Sequence, residues 1–227
     1  MSVFSKIVFG FALTVGITVQ AQEVMTDHDG NEYRIVQFGE RWIMAENYAG
    51  TKFRNGDPIP FAKDEEAWKQ AIAEGSPAYC KIDGGGDGYE EASGYLYNWF
   101  VINDPRSFGP EGWHVTTRSE LRSLLLNGGG VYKKDLCRYY YSVIEHDWKK
   151  VQKLSTKEKL NINNGQYQLL INASGFRSTD GEYRTPTEAR LLVAEHDYVF
   201  SFDDNCLKIA EIGRDVGIGC SERFVRD

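Results

Sequence analysis

Apart from two stretches with helical periodicity, the chain reads as short apolar runs, each closed by Gly, Asp or Asn. Runs of that length predict strands rather than helices. Asp27-His28-Asp29-Gly30-Asn31 is a turn, after which Tyr33, Ile35 and Gln37 alternate with Arg34, Val36 and Phe38. Gly39-Glu40 is a second turn and Arg41–Glu46 a second apolar run, so a strand pair with a tight connection is the economical reading. From Gln166 onward QYQLLI, ARLLVA, YVFSF, CLKIAEI and RFV repeat the pattern between Gly, Asp and Asn clusters. They follow no fixed period, which disfavours a solenoid or propeller.

The two helical stretches carry their own boundaries. Asp64 can cap a helix over 64–74, Glu65 and Glu66 suit its positive end, and Gly75 can end it. Trp68, Ala71 and Ile72 then share one face. Thr117-Arg118-Ser119-Glu120 is a capping box, followed by the stripe Leu121, Leu124 and Leu125 and the stop Gly128-Gly129-Gly130. The middle, Val131–Leu160, is rich in Lys and Arg and also holds Tyr139-Tyr140-Tyr141. It reads as a solvated helical or loop insertion; a docking surface for an acidic glycan or protein is the alternative. The tyrosines fit a strand burying alternate rings, or a platform for sugar C–H faces.

With 41% hydrophobic residues, and 5 Trp, 13 Tyr and 12 Phe to fill a core, the 227-residue chain is a globular one. A net charge of −7 argues against non-specific nucleic-acid binding, which needs a basic surface. Residues 1–21 resemble a secretory signal peptide. Lys6 precedes the apolar run Ile7–Val19, and Val19-Gln20-Ala21 offers a cleavage site after Ala21. At about 13 residues the run is shorter than the ~20 needed to span a bilayer. No later segment is apolar enough to span one, so the expectation is an exported chain in the periplasm, at the cell surface or outside the cell. An oxidising compartment permits disulfides among Cys80, Cys137, Cys206 and Cys220, with three full pairings open. Cys206 and Cys220 lie symmetrically about Gly213, as opposed residues of a hairpin would, and are the candidate pair.

Chemistry-bearing motifs are few. No nucleophile elbow, zinc-protease motif or phosphate loop occurs. The candidate metal ligands are Asp83, Asp87, Glu90 and Glu91 on a glycine-rich loop that could wrap calcium; a flexible acidic loop is the plainer reading. Phe202-Asp203-Asp204-Asn205 only faintly echoes a lectin calcium motif. No cofactor and no catalytic residue is expected.

Several ordered phrases resemble one family: Asp29–Tyr33, Trp42–Asn47, Asp57–Pro60, Pro77–Cys80, Gly94–Trp99, Pro110–Val115, Ser174–Arg177 and Val225–Asp227. Together they resemble the Fibrobacter succinogenes major paralogous domain of exported bacterial proteins. The match runs from about Asp29 to Asp227 as one domain, with 22–28 as a short lead and weak agreement across 131–160. The resemblance implies an α+β, C-type-lectin-like fold, with the first and last strands in one antiparallel sheet, two flanking helices, a second small sheet and long loops. It also implies that His114 makes a core hydrogen bond rather than acting as a catalytic base. Relatives carry cysteines where this chain has Gly109 and Phe224. Joint loss is expected if they form a disulfide there, and it implies that Phe224 fills the vacated space beside Gly109. The functional expectation is an exported, non-enzymatic binding module for an unknown glycan or envelope protein. A structural part of an envelope assembly is the alternative. An enzyme related to formylglycine-generating oxidases ranks lower, since their closely spaced cysteine pair is missing.

Overall fold

The computed structural model describes residues 23–38, 41–82, 94–121, 139–142, 147–150, 175–184, 188–195, 198–203, 208–213 and 216–227. The fold is α+β. The main sheet contains β1 (Val24–Thr26), β2 (Glu32–Phe38), β3 (Arg41–Met44), β6 (Trp113–Val115) and β14 (Phe224–Arg226), in the order β1-β2-β3-β14-β6. All its pairings are antiparallel, and β14 lies between β3 and β6, with Val225 opposite both Ile43 and His114. The expected union of early and late strands is therefore present. The lead at 22–28 is a correction: Val24–Thr26 is an edge strand of this sheet, paired with Glu32–Arg34.

The buried guanidinium of Arg223 locks β14 in place. Its Nε and Nη2 donate to Asn47 Oδ1 (3.1 and 2.9 Å), and Nη1 donates to the carbonyls of Met44 and Ala45. Burial pushes its pKa down to about 9, so it is still a cation at neutral pH. Beside it, the Tyr48 amide donates to the Glu222 carbonyl, and Thr116 donates through both its amide and its hydroxyl to the Arg223 carbonyl.

Helix α1 (Glu65–Ala73) starts as its sequence dictates: Asp64 accepts from the Ala67 amide at 2.9 Å. Trp68 is its buried anchor, and the indole donates to the Gly217 carbonyl at 3.1 Å. The capping box is also formed. Thr117 Oγ1 accepts from the Glu120 amide (3.2 Å) while Glu120 Oε2 accepts from the Thr117 amide (3.0 Å), and helical backbone follows over 118–121. Its leucine stripe beyond Leu121 lies outside the described residues. A short helix absent from the sequence reading, α2 (Trp99–Ile102), is capped by Asn98. The Asn98 Oδ1 accepts from the Ala78 and Val101 amides, and its Nδ2 donates to the Ser76 carbonyl.

Two small ladders, β4 (Tyr79–Cys80) with β5 (Leu96–Tyr97) and β9 (Phe176–Arg177) with β10 (Tyr183–Arg184), flank the main sheet in sequence. The remaining strands are β7 (Tyr139–Ser142), β8 (Asp147–Lys150), β11 (Glu188–Leu192), β12 (Tyr198–Asp203) and β13 (Lys208–Gly213). They form a five-stranded sheet in the order β11-β12-β13-β7-β8. This sheet corrects two expectations. Part of the 131–160 insertion is a strand pair, β7–β8, because consecutive tyrosines favour extended backbone over a solvated helix. And Lys208–Gly213 is not paired as one arm of a hairpin with residues 217–220. Both edges of β13 are occupied, by β12 and by a parallel β7, while Cys220 exchanges backbone hydrogen bonds with Tyr97 instead. Cys206 itself lies outside the described residues.

The core on the main sheet is aromatic. Tyr48 meets Phe224 and Phe108 edge-on, at centroid distances of 4.8 and 5.2 Å, and Phe108 closes on Tyr97 at 4.8 Å. Phe224 is fully buried, and its ring lies against Gly109 as the resemblance implies. A Cβ at Gly109 would stand 2.0 Å from that ring, and the glycine has φ of +83°. Gly109→Ala should therefore cost about 2–4 kcal/mol, from overpacking and left-handed backbone together. Phe224→Ala should cost about 3–5 kcal/mol. The double variant should be more stable than the sum of the two predicts, because the shortened side chain removes the clash. Urea unfolding of the four proteins measures this; strict additivity would show that ring and glycine are not in contact.

Candidate functional site

Phe61 and Val24 are the large hydrophobic side chains exposed among the described residues, and Phe61 is the more exposed, at 47%. It is not isolated. Its ring lies 5.3 Å from that of Tyr79, which lies 5.0 Å from Tyr95 and 6.2 Å from the buried Tyr97. The four rings make a row from solvent into the core. Backbone pairing builds it: Phe61 bridges Tyr79 in parallel, and Tyr79 sits opposite Tyr97 in the β4–β5 ladder. The Ala62 amide donates to the Tyr79 carbonyl, and the Tyr79 amide to the Pro60 carbonyl, which fixes the exposed ring's base. Partial burial raises the Tyr79 phenol, with Tyr95 and the Asp29 carboxylate adding to it, so the hydroxyl stays neutral and able to donate. Asp29 is held in turn by Thr51 and by Lys52 Nζ at 2.8 Å.

A second concavity, about 460 Å³, opens between α2 and the end of β14. Trp99, Asp104, Trp113, His114, Thr117 and Asp227 line part of it. Its titratable groups are tied to one another. His114 Nδ1 meets Asp227 Oδ1 at 2.5 Å, and Nε2 meets Glu120 Oε2 at 3.0 Å. Glu120 also accepts from Thr117 and from Arg41 Nη1, the latter at 2.8 Å. Burial opposes protonation of His114, but its hydrogen bonds to the Asp227 and Glu120 carboxylates prevail and raise its pKa. Against its own burial, the Thr117 amide and hydroxyl and then His114 hold Glu120 below the usual carboxylate range. Both ring nitrogens are thus engaged, and His114 ties two carboxylates at the partly exposed rim of the groove rather than in the core.

The calcium candidates Asp83, Asp87, Glu90 and Glu91 lie outside the described residues, as do Cys137, His146 and His196. Among the described residues no group of three or more His, Cys, Asp or Glu could hold a metal ion. Cys80 and Cys220 are both buried. His28 is exposed on the first turn. Tyr139–Tyr141 lie in β7, so the extended reading of that segment holds. Sequence reasoning missed the aromatic row, because its rings come from three segments far apart in the chain. It missed Arg54 as well. That guanidinium forks onto the carbonyls of Gly109 (3.2 Å), Pro110 (3.0 Å) and Trp113 (2.9 Å), clamping the Pro110–Trp113 turn beneath His114.

Fold and site define an α+β domain whose late strand closes its main sheet and whose polar side chains largely cross-link its own backbone. The chain belongs to the Fibrobacter succinogenes major domain family, whose model matches residues 36–194. β14 lies beyond that match yet completes the same sheet. No curated protein and no solved structure matches the chain. No helix among the described residues is long and apolar enough to cross a membrane.

The Arg54 clamp is testable. Arg54→Lys keeps the charge but cannot fork onto three carbonyls, and should cost about 1–2 kcal/mol in chemical denaturation. Wild-type stability in that variant would show that charge alone suffices.

Proposed function

We propose that the protein is an exported, non-enzymatic binding module of C-type-lectin-like architecture, and that it holds a glycan against the Phe61–Tyr79–Tyr95 row. The single observation that carries this reading is the exposed Phe61 ring, backed by tyrosine rings in tilted contact rather than folded into the core. A flat apolar ring in water is poorly hydrated, and the C–H face of a sugar covers it without stripping hydroxyls of their hydrogen bonds. The neighbouring phenol of Tyr79 offers a neutral donor at the rim. Rings already packed against one another also lose little freedom when a ligand docks.

Other features support the remaining parts. The signal-like segment at 1–21 supports export. The insertion of β14 between β3 and β6 supports the lectin-like closure. The engagement of both His114 nitrogens with carboxylates supports a binding role over acid–base chemistry.

The test is a glycan array probed with the chain from Gln22 onward, with and without calcium, beside a Phe61→Ser variant. The variant should keep its melting temperature, since the ring is on the surface, and lose about tenfold in affinity. Binding should survive chelation. Silence across the array, together with a co-purifying envelope protein, would replace this reading with a structural role in an assembly. Binding that requires calcium would move the site to the loop carrying Asp83, Asp87, Glu90 and Glu91.

A further inference from the structure

We infer that His114 is a proton-operated latch: doubly protonated, it ties Asp227 at the end of β14 to the capping box of Glu120, and on losing a proton it lets the Asp227 side chain go. The inference is independent of the binding reading. It begins from a count of hydrogens. An imidazole with a carboxylate oxygen on each nitrogen, at 2.5 and 3.0 Å, satisfies both only as imidazolium. The neutral ring has a single N–H, so one nitrogen then turns a lone pair on a carboxylate.

Which contact fails follows from how each carboxylate is held. Glu120 is anchored from several sides: by the Thr117 amide and hydroxyl at 3.0 and 2.8 Å and by Arg41 Nη1 at 2.8 Å. Its side chain is only 13% exposed. Asp227 has a side chain 58% exposed and can turn into solvent at little cost. The neutral ring therefore keeps its proton on Nε2 for Glu120, and Nδ1 repels Asp227. Asp227 is also bound through its amide, which donates to the Gly112 carbonyl at 3.0 Å, so the release reaches the backbone at the edge of the groove.

The charged surroundings are mixed. Arg41 from β3 neutralises part of Glu120. Arg54 and Asp104 line the same groove, with Asp104 gripped by Arg106. Arg226, next to Asp227, turns away between Trp42 and Trp113 towards Glu23. Glu195 caps the Arg118 amide on the far side of the helical turn. The carboxylates in contact with the ring decide the direction: the His114 pKa is raised in the folded protein. A raised pKa means that the latch stabilises fully below the unfolded value of about 6.5 and loses that contribution as pH rises through the folded value.

The test follows the His114 ring by nitrogen-resolved NMR from pH 5.5 to 9 in the whole chain, alongside His114→Gln and Asp227→Asn. In wild type the ring should titrate above pH 6.5 and emerge as the Nε2–H tautomer. Its midpoint should fall in Asp227→Asn. Amide exchange at Asp227, corrected for its intrinsic pH dependence, should lose protection several-fold across the same midpoint, and stay level in His114→Gln. The melting temperature of wild type should drop by about 2–4 °C relative to His114→Gln over that range. Asp227 lies at the surface, so its variant folds, and it separates a latch from a general loss of structure. A ring that titrates identically in Asp227→Asn, or Asp227 protection in wild type that ignores pH, would overturn the inference.

Discussion

A buried guanidinium that donates to backbone carbonyls and a side-chain amide holds this fold closed. Arg223 places its donors on Asn47 and on the carbonyls of Met44 and Ala45, the backbone that leaves β3. A cation removed from water is costly unless its donors are met, and here carbonyl and amide oxygens meet them. The arrangement is selective because it is costly. Only the native alignment of the late segment on the β3 loop offers that set of oxygens, so a slipped β14 would leave a bare charge in the core. Around this point the sheet acquires its centre, with β14 flanked on both sides, and the aromatic cluster acquires Phe224.

The same strategy recurs at smaller scale. Asp27 receives the Asp29 and Asn31 amides and the Tyr33 hydroxyl, and so sets the turn into β2. Asn98 joins the segment after α1 to α2. Arg54 gathers three carbonyls of the turn that precedes β6. Each is a side chain supplying the backbone of an irregular segment with the partners that a longer ladder or helix would have supplied. A fold made of two- to nine-residue elements needs many such ties.

Legibility in the sequence divides along the same line. Asp64, Glu65 and Gly75 announce α1, and Thr117 with Glu120 announces the second helical turn, because caps are local and act over three or four residues. In the main sheet β2 is visible as a period-two run and β3 and β14 as short apolar runs, but not β1 or β6, whose three residues each are too few to show a period. The pairing of β14 with β3 rests on the family motifs alone, since no local signal links Val225 to Ile43. The parallel union of β13 with β7 is unreadable for that reason. The site fares worse than the fold. Phe61 between Pro60 and Ala62 reads like any apolar residue, and only the bridge to Tyr79 sets it at the head of an aromatic row.

This partition bears on function. Arg223, Arg54, Asn98, Asp27 and His114 would each be read from sequence as able to bind or catalyse, yet each is engaged with the chain's own backbone or carboxylates. A side chain already satisfied in the folded state can serve a ligand only by giving up a bond it holds, which sets its threshold high. Phe61 has no such prior engagement on its outer face, so covering it yields free energy from the first contact. His114 is the intermediate case: its engagement depends on a single proton, which makes it the one tie in the set that the surrounding solution can undo.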